Sequence, residues 1–467
     1  MPDSTATLIL PRTAVYGVLA NLSIALLFLF GATQHAAAQS EFRDSVSQYG
    51  ITWHFGETRE TGRYANGDWW VVGPVTITSI TPESQVVGGR TFNGTQVNPS
   101  FGHHRAEQGY DSATSHMNYV SALNMAPSYT GQPLALNTGS VVSSISKPTE
   151  ELETNHPRLD DVAILTVVSE PPPQGAFRPH PYGEDKTSYW VESDLDYSIL
   201  QSLSPVGSPP NLAERSARHL RFWNEQPAGS WQQRDLQASN NQEFYGRRIA
   251  NYVGESLLLL HLDYTNAQKR DLFVGLVQYG LDNYGRILQG ERWWADGAHN
   301  HGRKMQTILA GLALNDPNIL AAVDGQNHTG RFQEDSQTFY VTQEDVDREL
   351  EGDREPYTSD MIGMPEWGIR HFSRPQYDNS SWGATYRYAG SGFVAHGLAA
   401  RLTSGAVDAW NWPAFFDYID RFQSLGGTDS VGSTNGVTSF VQAMWDAYRQ
   451  LDPDLRRPVP PEWLPME

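Results

Sequence analysis

Apolar and polar positions follow two rhythms along this chain, and the change comes near residue 240. From Ile51 to about Val168 the apolar residues fall in short, β-branched runs. Val71-Val72-Gly73-Pro74-Val75-Thr76-Ile77-Thr78-Ser79-Ile80 alternates over its second half and ends at a Thr-Pro-Glu-Ser turn. Alternation at period two is the mark of a half-buried strand, because successive side chains leave a strand on opposite faces. Gly88-Gly89 and Asn93-Gly94 are hairpin signals, and residues 162–168 form another strand-like run. Proline and glycine recur between the runs, which favours an antiparallel β-sandwich over alternating βα units. The stretch from Glu170 to about Gln233, with Pro171-Pro172-Pro173 and Pro209-Pro210, reads as irregular.

From Phe244 onward the period becomes helical. Residues 245–263 carry Ile249, Tyr252, Val253, Leu257, Leu258 and Leu260 on one stripe, and 270–288 repeat it through Leu272, Leu276, Tyr279, Leu281 and Ile287. Residues 304–314 are more uniformly apolar, as in a helix buried on several sides. Further helices are predicted at 392–402, 412–422 and 439–451. The expectation is an α+β chain: a β-sandwich-like domain at 39–170, a connecting segment at 171–235, and an α/α toroid-like helical domain at 236–467.

Ahead of these lies a different pattern. The first residues are mostly polar with one cation, Arg12, and an apolar run extends from Ala14 to Ala32. Ala36-Ala37-Ala38 before Gln39 offers the small residues a signal peptidase reads. The run nearly reaches the ~20 residues that span a bilayer, so a retained anchor is the rival reading. No cationic stop-transfer cluster follows it. Residues 1–38 are therefore expected to be a cleaved leader, with a secreted or periplasmic product and no membrane contact after cleavage.

Composition narrows the function classes. With no cysteine there are no disulfides and no thiolate chemistry. The net charge is −20 and the only lysines are Lys147, Lys186, Lys269 and Lys304. An acidic chain argues against a nucleic-acid partner, since phosphate binding wants a basic face. It also makes any local cluster of cations more informative.

The densest such cluster is Trp293-Trp294-Ala295-Asp296-Gly297-Ala298-His299-Asn300-His301-Gly302-Arg303-Lys304, between two predicted helices. The positive pole of a helix N-terminus, two histidines, an arginine and a lysine would make a cationic pocket, with Trp293 and Trp294 placed to stack on sugar rings. The structural alternative makes the tryptophans core, Asp296 a cap and Arg303 the partner of a carboxylate. A second cluster runs from Asn240 to Arg248 and contains Asn241, Glu243 and Tyr245. A third is Met364-Pro365-Glu366-Trp367-Gly368-Ile369-Arg370-His371, followed by Trp382, Tyr386, Arg387 and Tyr388.

With its leader, its aromatic-rich helical half, and Asn, His, Tyr and Arg recurring at helix starts, the chain resembles the secreted polysaccharide lyases built on an incomplete α/α toroid, the alginate-lyase-like and heparinase-like group. The resemblance is architectural and covers residues 236–467. The order of domains departs from it, since many of those enzymes place the β-sandwich after the toroid. The resemblance implies an anionic, uronic-acid-containing polysaccharide as partner, cleaved by β-elimination without a cofactor. Asn241, His299 or Arg303 would neutralise the substrate carboxylate. Tyr245, Tyr386 or Tyr388 would move protons, with His301 or His371 as base. Lys304, Trp293, Trp294, Glu366, Trp367 and Arg387 would line the substrate.

Two other classes stay open. A glycoside hydrolase needs two carboxylates ~5–9.5 Å apart, which Asp296 and Glu366 could supply, with Asp335, Asp360 and Asp378 in reserve. A non-catalytic glycan-binding protein would use the same clusters only to hold ligand. Asp296, His299 and His301 also offer three metal-ligating side chains, but a loop trio is a weaker signal than two histidines one helical turn apart, and no metal is assigned. Expressed with its leader in a secreting host, the chain should be recovered outside the cytoplasm with Gln39 as its first residue. N-terminal sequencing that finds an intact leader in the membrane fraction would refute the cleavage.

Overall fold

Strands fill the first part of the chain and helices the later part, an α+β arrangement. The computed structural model describes residues 40–99, 107–115, 117–154, 156–187, 189–224, 234–295, 297–348, 357–368, 391–424 and 437–451. The expected leader and its cleavage site lie outside them. All the described residues belong to one compact unit, Ala36–Glu467. Among them no helix is long and apolar enough to cross a membrane.

The strands are β1 (Glu41–Gln48), β2 (Ile51–Arg63), β3 (Trp69–Val72), β4 (Val75–Thr81), β5 (Gln85–Val87), β6 (Arg90–Phe92), β7 (Thr95–Val97), β8 (Glu107–Gln108), β9 (Asn118–Tyr119), β10 (Leu134–Leu136), β11 (Gly139–Ser146) and β12 (Leu159–Val168), with β13 (Thr338–Tyr340) and β14 (Pro365–Trp367) among the helices. Eight of them form one sheet in the order β10-β4-β2-β3-β12-β11-β7, with β1 also paired to β2. The long β2 meets three partners, β1 along most of its length, β4 near its start and β3 near its end, so the sheet curls around it. The apolar run at 71–80 is split into β3 and β4 at Gly73-Pro74, where proline has no N–H to give a ladder.

Alternation explains how β12 serves two cores. Ala163, Leu165 and Val167 join Trp53, Trp69 and Ile77 on one side. Val162 and Ile164 face the other way, where they are covered by Phe222, Leu236 and Ala238. The segment at 235–241, which leads into the helices, is stitched along the start of this strand. Arg158 N–H donates to Asp235 O, Ser239 N–H to Leu159 O and Asn240 N–H to Asp160 O.

The helices are α1 (Pro127–Thr130), α2 (Leu212–His219), α3 (Gly246–Leu259), α4 (Asn266–Leu288), α5 (Lys304–Ala313), α6 (Pro317–Val323), α7 (Gln333–Gln337), α8 (Gln343–Asp347), α9 (Ser391–Leu402), α10 (Ala406–Trp410), α11 (Pro413–Ser424) and α12 (Ser439–Tyr448). Apolar periodicity placed α3, α5 and α9 within a few residues of their ends. α4 starts four residues before its predicted position, because Thr265 and Gln268 form a capping box that satisfies the first N–H groups. Helix α3 packs against α9, and α4 lies between α2 and α5. One apolar core, centred on Leu257, Leu258, Phe273, Leu276, Ile308, Leu309 and Phe415, runs through these helices.

Sheet and helices are joined by a buried arginine. Arg178, in the segment predicted to be irregular, is fully enclosed; its Nε donates to Asp68 Oδ2 and its Nη2 to Asp282 Oδ2, each at 2.6 Å. Asp68 lies in the turn between β2 and β3, and Asp282 on α4. The Gln278 carboxamide holds the main chain of Arg178 at both its N–H and its C=O. Burial raises the pKa of Asp282 to about 6 against the pull of Arg178. Arg178→Met would leave two buried carboxylates without their cation and should cost about 3–5 kcal/mol, read as a lower urea midpoint. A loss below ~1 kcal/mol, the range of a surface pair, would refute this role.

Candidate functional site

The second and first sequence clusters meet because two stretches of backbone touch. Asn241 is buried, and its carboxamide donates to Val162 O and Phe222 O, both at 2.7 Å. Expected as a donor to substrate, it has both amide hydrogens on the main chain and clamps the approach to α3 onto β12. Glu243 pairs with Arg218 at 2.8 Å. Tyr245 then holds an extended conformation (φ −135°, ψ 131°), and α3 begins at Gly246. A Cβ on Gly246 would fall on the carbonyl of His299 and 2.6 Å from the Ala298 oxygen. Arg247 N–H donates to that oxygen at 2.9 Å. A second crossing lies at Gly302 (φ 88°), where a Cβ would come 2.6 Å from Ala250 Cα. The loop before α5 therefore lies directly on the first turns of α3.

This contact brings Tyr245 and His299 together. Both are half-buried, their rings edge-on with centroids 5.3 Å apart and an interplanar angle of 83°. The Arg247 guanidinium is buried 6.0 Å from the Tyr245 ring centre. Trp294 is half-buried nearby in the chain, and its carbonyl takes a hydrogen bond from Asn300 Nδ2 at 3.0 Å. Trp293, expected to stack on sugar, is wholly enclosed and stacks instead on Phe332 (5.3 Å, 9°). Asp296 lies outside the described residues.

The cationic end of the loop turns inward. His301, Arg303 and Lys304 are all fully buried. Arg303 Nη1 donates to His301 O at 2.5 Å. The two N–H groups just ahead of α5 bind the chain's own Glu334, whose Oε1 accepts from Gly302 N (2.8 Å) and Arg303 N (3.3 Å). Burial raises the Glu334 pKa. Lys304 is not a ligand cation here. Its Nζ donates to Asp335 Oδ2 at 2.6 Å and to Trp410 O at 2.9 Å, and Trp410 Nε1 donates to Asp335 Oδ1. Burial lowers the Lys304 pKa and raises that of Asp335, each opposed by the other's charge.

His301 is pressed well below the usual histidine range by burial, then by Arg303, His396, Arg247 and His299. His396, on α9, donates from Nε2 to Ala250 O at 2.8 Å, and burial lowers its pKa to about 4. Sequence reasoning passed over His396, Gln333 and Glu334. The run Gln333-Glu334-Asp335-Ser336-Gln337 is polar throughout, yet all but Ser336 are buried. Its one sequence signal is adjacency to Phe332.

The third cluster stands apart from Tyr245 and His299 in its chemistry. Glu366 and Trp367 are fully buried on β14, with Glu366 Oε1 accepting the Trp367 N–H and lying 3.9 Å from Arg421 Nη1. Asp360 is exposed on a short turn. His371, Tyr386, Arg387 and Tyr388, with Trp382 and Asp378, lie outside the described residues. Among the described residues no group of three or more His, Asp or Glu side chains could hold a metal ion.

Compared with known proteins, the chain matches no family model, no curated protein and no solved structure. Gly246→Ala should lower stability by about 1–3 kcal/mol, because the added methyl has no room against the His299 carbonyl. Arg248→Ala, at an exposed position in the same turn, should stay within ~0.5 kcal/mol. Equal effects in chemical unfolding would refute the close approach.

Proposed function

We propose that this chain is an exported polysaccharide lyase that cleaves an anionic, uronic-acid-containing polysaccharide by β-elimination, and that its helical half is an incomplete α/α toroid. The observation that carries the reading is the half-buried Tyr245–His299 pair beside the buried His301, Arg303 and Arg247. Side-by-side packing of α3 with α9 and of α4 with α5 supports the toroid.

The C5 proton of a uronate is weakly acidic while the adjoining carboxylate is ionised. A fixed donor or guanidinium at that carboxylate stabilises the charge that grows as the proton leaves. His299 or the Tyr245 phenolate takes the C5 proton. The electron pair forms the C4–C5 double bond, the C4–O bond breaks, and the departing oxygen takes a proton from the phenol. A hydrolase would instead need two carboxylates facing one bond. Of the described acids, Glu366 is enclosed against Trp367, Asp335 is paired with Lys304 and Glu334 holds the backbone of Gly302 and Arg303, which favours elimination.

The test follows ultraviolet absorbance and reducing ends together on a panel of polyuronates and neutral glycans. Absorbance from the new conjugated double bond is expected on a polyuronate, and His299→Ala or Tyr245→Phe should lower its rate by about 10²-fold or more. Reducing ends without absorbance would sink elimination, and silence in both channels on every polymer would sink catalysis.

A further inference from the structure

The atoms around His301 decide what that residue can do. Its Nδ1 lies 2.9 Å from Nε2 of Gln333. The orientation of the Gln333 carboxamide is set from its other contacts. Oε1 accepts the Asn300 N–H at 2.8 Å, while Nε2 lies 2.7 Å from Gly297 O and 2.6 Å from Gln337 Oε1. Turning the amide over would set an oxygen against the Gly297 carbonyl and an NH₂ against the Asn300 N–H. Nε2 is therefore a donor, and three acceptors share its two hydrogens. A carboxamide nitrogen cannot accept, so a proton on Nδ1 of His301 would face a donor, and Nδ1 carries the lone pair.

The ring is also neutral. It is fully buried among cations: Arg303 on its own strand of loop, Arg247 on α3, with His396 on α9 and His299 adding to the same effect. A neutral imidazole whose Nδ1 accepts has its one proton on Nε2. Among the described residues that enclosed Nε2–H has no acceptor, and the buried oxygens Asn300 Oδ1 and Glu334 Oε2 have no donor. Buried polar groups are as a rule hydrogen-bonded, and one left over marks a place where a ligand or water completes the set. Phe393, edge-on at 5.3 Å, gives the ring no polar partner.

We propose that Gln333 is a positioning residue that holds His301 neutral with its proton on Nε2, making His301 a hydrogen-bond donor to an acceptor oxygen of the substrate and not the base that removes a proton. The identity of that oxygen, a uronate carboxylate, rests on the elimination reading above. The tautomer does not.

The experiment uses the full exported chain with ¹⁵N-labelled histidine, and records one- and two-bond proton–nitrogen correlations that report which ring nitrogen is protonated. His301→Gln assigns the signals. Wild-type His301 should show a protonated Nε2 and a bare Nδ1. Gln333→Glu, which replaces the donor by a carboxylate acceptor, should place a proton on Nδ1. Wild-type His301 protonated at Nδ1, or a folded Gln333→Glu in which Nε2 alone stays protonated, overturns the assignment. If that variant does not fold, the wild-type spectrum still decides. Titration with free galacturonate should move the His301 Nε2 proton resonance, and galactose should not; a resonance unmoved at saturating galacturonate overturns the donor role. The elimination assay separates the two readings. Elimination with the proton on Nδ1 sinks the role of Gln333 alone, and the Nε2–H tautomer without elimination on any polyuronate sinks the lyase reading alone.

Discussion

One guanidinium fixes how the two halves of this structure meet. Arg178 is enclosed between the turn that carries Asp68 and the helix that carries Asp282, and it satisfies both carboxylates at once. A buried ion triad is a weak source of net stability, because desolvation of the charges offsets most of their attraction. It is a strong constraint on position, since any shift of α4 against the sheet leaves a charge uncompensated in a medium that penalises it. The same helix leads straight into the loop that holds His299 and His301. The candidate site thus inherits its placement from an interaction that takes no part in its chemistry.

At the site the ordering is done by backbone contact and by carboxamides. Gly246 and Gly302 let the loop lie on α3 with no side chain between them, and this closeness, more than any attraction, sets Tyr245 beside His299. Beneath the loop, Gln333, Glu334 and Asp335 are three consecutive residues with three duties. Gln333 orients His301, Glu334 binds the backbone N–H groups of Gly302 and Arg303, and Asp335 neutralises Lys304. A polar network of this kind specifies one arrangement, because each partner removed strands another in low dielectric. The groups that remain without protein partners, His301 Nε2 among them, are then the informative ones.

Much of the architecture could be read from pattern alone. The apolar run of β12 and the period of 3.6 in α3 and α4 mark those elements, although β12 is covered on both faces and α4 is buried all round from Leu272 to Asn283. The departures have local causes. Thr265 and Gln268 lengthen α4 by capping, and Pro74 divides a run that composition made continuous. The buried polar residues were less legible. Lys304 next to Arg303 reads as a cationic pocket, and Gln333 and Glu334 draw no reading at all. A charge shows its sign in the sequence but not its partner, and these partners lie about thirty residues away.

By itself, the sequence determined the order of strands and helices, the absence of thiol chemistry, and the concentration of His, Arg and Trp before α5, since each follows from residue type and short-range spacing. Only the tertiary structure decided which of those residues serve one another. Trp293 and Lys304 went to the core because Phe332, Asp335 and Trp410 were there to meet them. Asn241 went to the backbone of β12, while Tyr245 and His299 stayed half-exposed and adjacent. The physical reason is that burial of a polar group is settled by whether a complementary group arrives from elsewhere in the chain, and periodicity does not carry that information.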